Sequence, residues 1–327
     1  MKKIVALLLA VLMLVSMTAC QAAGGETTGD QTAKKYVVGI CQLITHDALD
    51  AATQGFKDAV IEGLGEENVE FKDQNAAGDS NTCSTIMNTF VSDDVDLIMA
   101  NATPALQAAA TATADIPILG TSVTEYGVAL NIESFDGLVG GNISGTSDLA
   151  PLDKQAAMVK EWFPDAQNVG LLYCSAEANS QYQVDVVQAE LEAMGYTCTP
   201  YSFADTNDMA AVTEECAANS DVIYVPTDNA VANATGIVDG VCRPAGVPII
   251  AGEAGICGGC GVATLSISYY DLGYATGEMA AQILTGEADI STMPIAYAEA
   301  SSIYNVAICE SLGLTPPSDS YAPVNAG

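Results

Sequence analysis

The stretch DLIMANATPALQAA (residues 96–109) returns in altered form as DVIYVPTDNAVANA (residues 221–234). Each copy opens with an acid and an apolar run, breaks at Thr, Pro, Asp or Asn, and continues as a small-residue helical pattern. An apolar run of this length bounded by turn residues reads as a buried strand, and the break that follows reads as a helix start. The chain therefore spells strand, turn and helix twice.

The surroundings repeat as well. The first set runs YVVGICQL (36–43), a helix over 48–65 with Leu49, Ala52, Phe56, Ala59, Val60 and Leu64 on one face, VEFKDQNA (69–76), a helix over 81–94, residues 96–103 and IPILGTS (116–122). The second runs NVGLLYCS (168–175), a helix over 180–195, YTCTPYSF (196–203), a helix over 208–220, residues 221–229 and VPIIAGE (247–253). Strands alternating with helices predict parallel sheets covered on both faces, and six elements recurring in order predict two similar doubly wound α/β lobes joined by a hinge. Residues 142–164, 264–287 and the tail (294–300 and 302–313) offer three crossings between lobes. The expected division is 36–148 plus about 266–290 for the first lobe and 149–265 plus about 291–320 for the second.

The N-terminus joins Lys2 and Lys3 to an apolar run over 4–15 and then to SMTAC, ending at Cys20. That run is shorter than the roughly 20 residues a membrane span needs, so residues 1–19 read as a secretory signal. The segment 16–20 resembles a bacterial lipobox, with Met17 an unusual choice, which would make Cys20 the lipidated first residue and membrane anchor of an exported chain. Residues 20–35, rich in Gly, Thr and Ala, read as a flexible tether. A net charge of −32 repels phosphate backbones and argues against nucleic acid as a partner.

Ten cysteines are present, nine without Cys20. Cys257 and Cys260 have the spacing of a redox or half-zinc motif, but His46 is the one histidine and no second such pair exists, so structural thiols are favoured over a local disulfide or a metal site. No cofactor is expected. Catalytic motifs are wanting too: the chain has no Gly-x-Ser-x-Gly elbow, no dinucleotide fingerprint and no Walker loop.

Ligands of open parallel sheets lie beyond the strands' carboxyl ends, so two facing lobes would share one cleft. There the first lobe presents Thr103 as a helix N-cap and Pro104 at the first helical position, with Thr121, Ser122 and Thr124 at strand ends. Arg243, the one arginine, falls late in a helix, so a carboxylate would be met by main-chain N–H groups and hydroxyls instead. Asp148, Glu177, Asp228 and Glu253 could meet a cation. Acids and hydroxylated helix starts around one cleft fit a zwitterion, although each such residue can equally be a simple helix cap.

Stretches such as HDALDAATQGF, DQNAAGD, FVSDDVDLIMANATPALQAAATATADIPILGTSVT, NISGTSD, EANSQ, VPTDNAV and YYDLGYATGEMAAQIL together resemble the substrate-binding lipoproteins of ABC importers of the tryptophan/tyrosine type, from about Tyr36 to about Leu314. The resemblance implies a type I periplasmic-binding fold, a monomer, an amino acid, preferably aromatic, as ligand, and ABC permease subunits as partners. It places Thr103, Pro104, Thr121, Val123 and Thr124 on the first rim and gives the ammonium to Asp148. Glu177, Asn179, Ser180, Asp228, Asn229 and Glu253 come from the second lobe, while Gln42 and His46 approach the ligand side chain. Thr45-His46-Asp47 and Thr124-Glu125-Tyr126 depart from the family's usual Glu-His-Pro and Val-Thr-Asp-Pro, which bears on ligand identity, with Tyr126 a replacement wall. A sugar receptor of the same fold and an exported α/β enzyme are the rivals. Trp162, the one tryptophan, looks like a helix-end packing residue rather than a sugar platform.

Overall fold

The computed structural model describes residues 35–324. The signal, the tether as far as residue 34 and Cys20 lie outside the described residues. The first lobe runs β1 (Tyr36–Gln42), α1 (Asp47–Leu64), β2 (Val69–Asn75), α2 (Ser80–Ser92), β3 (Leu97–Asn101), α3 (Thr103–Ala112), β4 (Ile118–Val123), α4 (Tyr126–Leu130) and β5 (Ile143–Ser147). The second runs α5 (Leu152–Trp162), β6 (Asn168–Cys174), α6 (Ala178–Ala193), β7 (Thr197–Phe203), α7 (Thr206–Ala218), β8 (Val222–Val225), α8 (Asn229–Asn233), α9 (Thr235–Ala245), β9 (Ile249–Ala251), α10 (Ala254–Gly259) and β10 (Ala263–Ser266). α11 (Tyr269–Thr285), β11 (Ala296–Tyr297), β12 (Ser301–Asn305), α12 (Val306–Leu312) and β13 (Ala322–Val324) complete the chain.

The sheet orders are β11-β5-β4-β3-β1-β2 and β13-β12-β10-β9-β8-β6-β7. Within each, the first five strands of the lobe share one parallel order, and β12 joins β10 antiparallel. The central strands β3, β4 and β8 are buried throughout, as apolar runs covered on both faces require. Apolar layers flank both sheets: Phe90, Leu106 and Ile118 on one face of the first and Phe56, Leu97 and Leu119 on the other. Leu171, Val187 and Tyr224 lie on one face of the second, with Ile223, Val238 and Ile256 opposite. Trp162 packs edge-on against Tyr321 inside the second lobe.

The chain passes between the sheets three times, after β5, after β10 and after β11. The last passage falls later than the expected residue 291, because Ala296 and Tyr297 still pair with Thr146 and Ser147 of β5. Two residues of strand carry too little apolar pattern to be read from sequence.

α11 returns to the first lobe and seats on α1 with almost no gap. A Cβ at Gly273 would stand 1.9 Å from the Ala52 carbonyl oxygen, and one at Gly55 would stand 2.1 Å from that of Tyr270. Neither obstacle is a side chain that could swing away, so the approach needs glycine on both helices. Gly273→Ala is expected to lower stability by about 1–3 kcal/mol although alanine is the better helix former. Gly240→Ala in α9, where a Cβ meets nothing within 4 Å, should be neutral or stabilising. Urea denaturation of the two variants checks the contrast.

Candidate functional site

Both sets of strand ends open onto the same interlobe space, and the residues there are almost all buried. Thr121 and Ser180 are fully covered, and Asp148, Asn179 and Glu253 are 3–4% exposed. α4 packs against α6, and α1 against α10, across the cleft. His46 Nε2 lies 3.2 Å from Asn229 Oδ1 on the opposite lobe. Because the Asn229 amide nitrogen donates to Glu177 at 2.6 Å, its oxygen can only accept, so His46 carries its proton on Nε2. Burial lowers the His46 pKa, while Asn229, Asp50 and Asp47 oppose that shift.

In the first lobe several predicted residues are engaged by their own neighbours. Gln42 donates to the Ile44 carbonyl and to Asp50 and accepts from Thr53, which ties β1 to the start of α1 and leaves its amide no free donor. Thr121 shares a hydroxyl chain with Thr146 and Thr276. Thr103 is not the cap of α3: the cap position is Ala102, held at φ 91° with no side-chain bond, and Thr103 and Pro104 occupy the first turn. Proline's missing N–H is tolerated in that turn, where donors have no helical partner. Ser122 also has positive φ, 53°, where the β4–β5 register shifts, and its buried hydroxyl has no partner. Val123 is buried and pairs with Ser147.

Tyr126 is not a pocket wall. It is buried inside the lobe, stacked on Phe135 with its hydroxyl donating to the Thr146 carbonyl, because Gly120 and Gly145 leave room for the ring over the sheet.

The second lobe spends its acids on helix starts. Glu177 accepts from the main-chain N–H of Asn229 and Ala230 as well as from the Asn229 and Asn179 amides. Asp228 accepts from Val231 N–H and from Cys174 N–H, and Glu253 accepts from Gly255 and Ile256 N–H. These carboxylates neutralise the positive ends of α8 and α10. The Asn179 amide nitrogen is also bound to the Thr227 carbonyl, while its oxygen is buried without a partner. Asp228 is further held by Ser180.

Asp148 differs from those three. Its Oδ2 accepts from the Tyr269 hydroxyl at 2.9 Å, whereas Oδ1 is buried with no partner. Burial pushes its pKa up, against the bonds from Tyr269 and Thr124. A buried carboxyl with one oxygen fixed and the other unengaged is arranged to receive a cationic donor. Tyr269 was not picked out from sequence: it stands 121 residues from Asp148, beside a second tyrosine, and nothing local marks which of the two turns inward.

A cavity of about 810 Å³ lies alongside, lined by His46, Asp47, Asp50, Glu253, Ile267 and Tyr269 among others. Of the sequence-predicted residues it brings together His46 and Glu253. The others do not line it. All nine cysteines among the described residues are unpaired, and Cys257 and Cys260 are buried in the second lobe's core with burial raising both thiols.

Two facing α/β lobes with polar strand ends between them are the architecture of a solute-binding protein. Residues 37–320 match the family "ABC transporter substrate binding protein", and the chain belongs to that family. A tyrosine-binding protein of Clostridioides difficile (strain R20291) is 36% identical over 306 residues, 90% of this chain and 87% of that protein. The crystal structure of an ABC domain from Streptococcus pneumonia in complex with L-Trp is 30% identical, with a TM-score of 0.83 over 88% of this chain and 97% of that one. The ligand-free, open structure of a Clostridium difficile substrate-binding protein with adhesive properties is 36% identical, with a TM-score of 0.68 over 89% and 100%.

Burial raises Glu177, with Asp228 adding to the shift, and raises Glu253, each from 4.5 to about 7. An unfolded chain releases these protons near 4.5 while the folded chain keeps them, so their contribution is full below that value and is lost as pH rises through about 7. His46 works in the opposite direction, losing its contribution as pH falls below 6.5. Calorimetry should therefore show the melting temperature rising as pH is lowered from about 8 to about 6, with a smaller rise in Glu253→Gln. A flat profile would contradict this.

Proposed function

We propose that this chain captures an aromatic amino acid, tyrosine or tryptophan, between its lobes and delivers it to the permease of an ABC importer. The observation that carries the proposal is the buried, unpartnered Oδ1 of Asp148, a position suited to a ligand ammonium. Glu177, Asp228 and Glu253 are better suited to capping than to ligand contact, since main-chain N–H groups already fill them. The ligand carboxylate would face the first rim, where α3 starts without a side-chain cap beside Thr103 and the Ser122 hydroxyl is unpartnered. Two relatives, one a tyrosine-binding protein and one in complex with L-Trp, support the ligand class.

His46 and Asn229 would act as a clasp between the lobes rather than as ligand contacts. The chain would work as a monomer without turnover, on the extracytoplasmic face of the membrane, held there by a lipid on Cys20.

The energies are of the right size. Micromolar affinity needs about 8 kcal/mol, within reach of two or three charge-assisted hydrogen bonds of about 1.5–3 kcal/mol each and a buried ring of about 2–3 kcal/mol, after ordering costs. Asp148→Ala should weaken binding of tyrosine and tryptophan by about 100-fold, or ~3 kcal/mol, with the fold retained. Titration calorimetry measures the loss, and an unchanged affinity would withdraw the assignment.

A further inference from the structure

Two of the three passages between the lobes are joined by one side-chain hydrogen bond. Asp148 directly follows β5, where the chain first leaves the first sheet, and Tyr269 opens α11, where the chain returns. The Tyr269 hydroxyl donates to Asp148 Oδ2 at 2.9 Å, and both groups are buried. The Tyr269 ring is set among Ala48, Ala52, Ile267 and Leu272, so its position is fixed by α1 and by the second crossing together. Burial holds this phenol well above its ordinary pKa, with Asp148 and Glu253 adding to the shift, so it remains a donor at any working pH. The other titratable groups whose charges bear on this pair are Glu253 and Tyr126; Tyr269 is the titratable group that hydrogen-bonds the carboxyl, and the Thr124 side chain bonds it as well.

A carboxylate can rotate about its Cβ–Cγ bond and offer either oxygen. Here Oδ2 is occupied, and Asp148 N–H donates to the Val123 carbonyl at 3.3 Å, which steadies the backbone beneath it. Oδ1 is thereby left as the oxygen presented without a partner. Interactions prealigned in this way lose less on binding than those that must be ordered by the ligand.

Resting on the amino-acid reading above, we propose that Tyr269 is a positioning residue for ligand capture: it aims Asp148 Oδ1 at the ligand ammonium and, by tying two lobe crossings together, couples occupancy of that oxygen to closure of the hinge. Nothing in this role requires Tyr269 to touch the ligand.

Tyr269→Phe keeps the ring and removes the donor, so it tests the role directly. Titrations of the mature chain with L-tyrosine and L-tryptophan from about pH 5 to pH 8 should show about 10-fold weaker binding at the acid end, the size of one lost bond to a charged group. The gap should narrow toward pH 8. Without its donor the carboxyl holds its proton more tightly, so the acid limb of the affinity profile should move to higher pH. Solution scattering at saturating ligand should show a smaller compaction than in the wild type. A uniform loss across pH, or no loss, would overturn the proposal and leave Tyr269 a packing residue. If Tyr269→Phe folds poorly, site-specific replacement of Tyr269 by 3-fluorotyrosine, which keeps the bond but strengthens the donor, should move the acid limb to lower pH; an unmoved limb overturns the proposal equally. A wild-type chain that binds neither amino acid would instead remove the amino-acid reading, and this proposal with it.

Discussion

The buried carboxyl of Asp148 is the constraint on which the remaining arrangement depends. Moving an ionised carboxylate away from water is costly unless it is hydrogen-bonded or paired with a cation. Asp148 is partly provided for, with Tyr269 on Oδ2 and a further bond from Thr124, while Oδ1 has no partner, and burial has raised its pKa. An incoming ammonium would supply the missing partner and favour the ionised form, so ligand affinity and the ionisation of Asp148 would be linked.

Chain duplication explains why the surroundings can enclose such a group. Each lobe ends its parallel strands at one rim, and the shared strand order brings equivalent loops to both. The two rims have nevertheless diverged. In the second lobe Glu177, Asp228 and Glu253 fold back on α8 and α10, so that main-chain N–H groups of the lobe engage all three acids. In the first, α3 begins at Ala102 without a side-chain cap, and Ser122 holds a left-handed conformation with an unpartnered hydroxyl. Strain and unsatisfied polar groups of this kind collect at functional sites because the surrounding fold can support them.

Much of this was legible before any coordinates. The repeated strand, break and helix start was visible in residues 96–109 and 221–234, because buried parallel strands write continuous apolar runs and helix starts select Thr, Pro, Asp and Asn. The family resemblance followed from the same stretches. Sequence could not separate acids that cap helices from the acid that does not, since Asp148, Glu177, Asp228 and Glu253 all follow apolar strands. What distinguishes them is whether helix N–H groups meet the carboxylate, from the following turn for Asp228 and Glu253 and from distant α8 for Glu177, a matter of three-dimensional placement. The cap position at Ala102, the two-residue β11, the inward turn of Tyr126 and the bonds of Asp148 to Tyr269 and of His46 to Asn229 were likewise hidden, each depending on residues distant in the chain or on a backbone angle with no compositional mark.

The most direct measurement is a crystal structure of the mature chain grown with L-tyrosine. The account predicts the ligand's ammonium nitrogen within hydrogen-bonding distance of Asp148 Oδ1, with Tyr269 still on Oδ2. An ammonium held by Glu177 or Glu253, or a ligand lodged in the outer cavity away from Asp148, would contradict it.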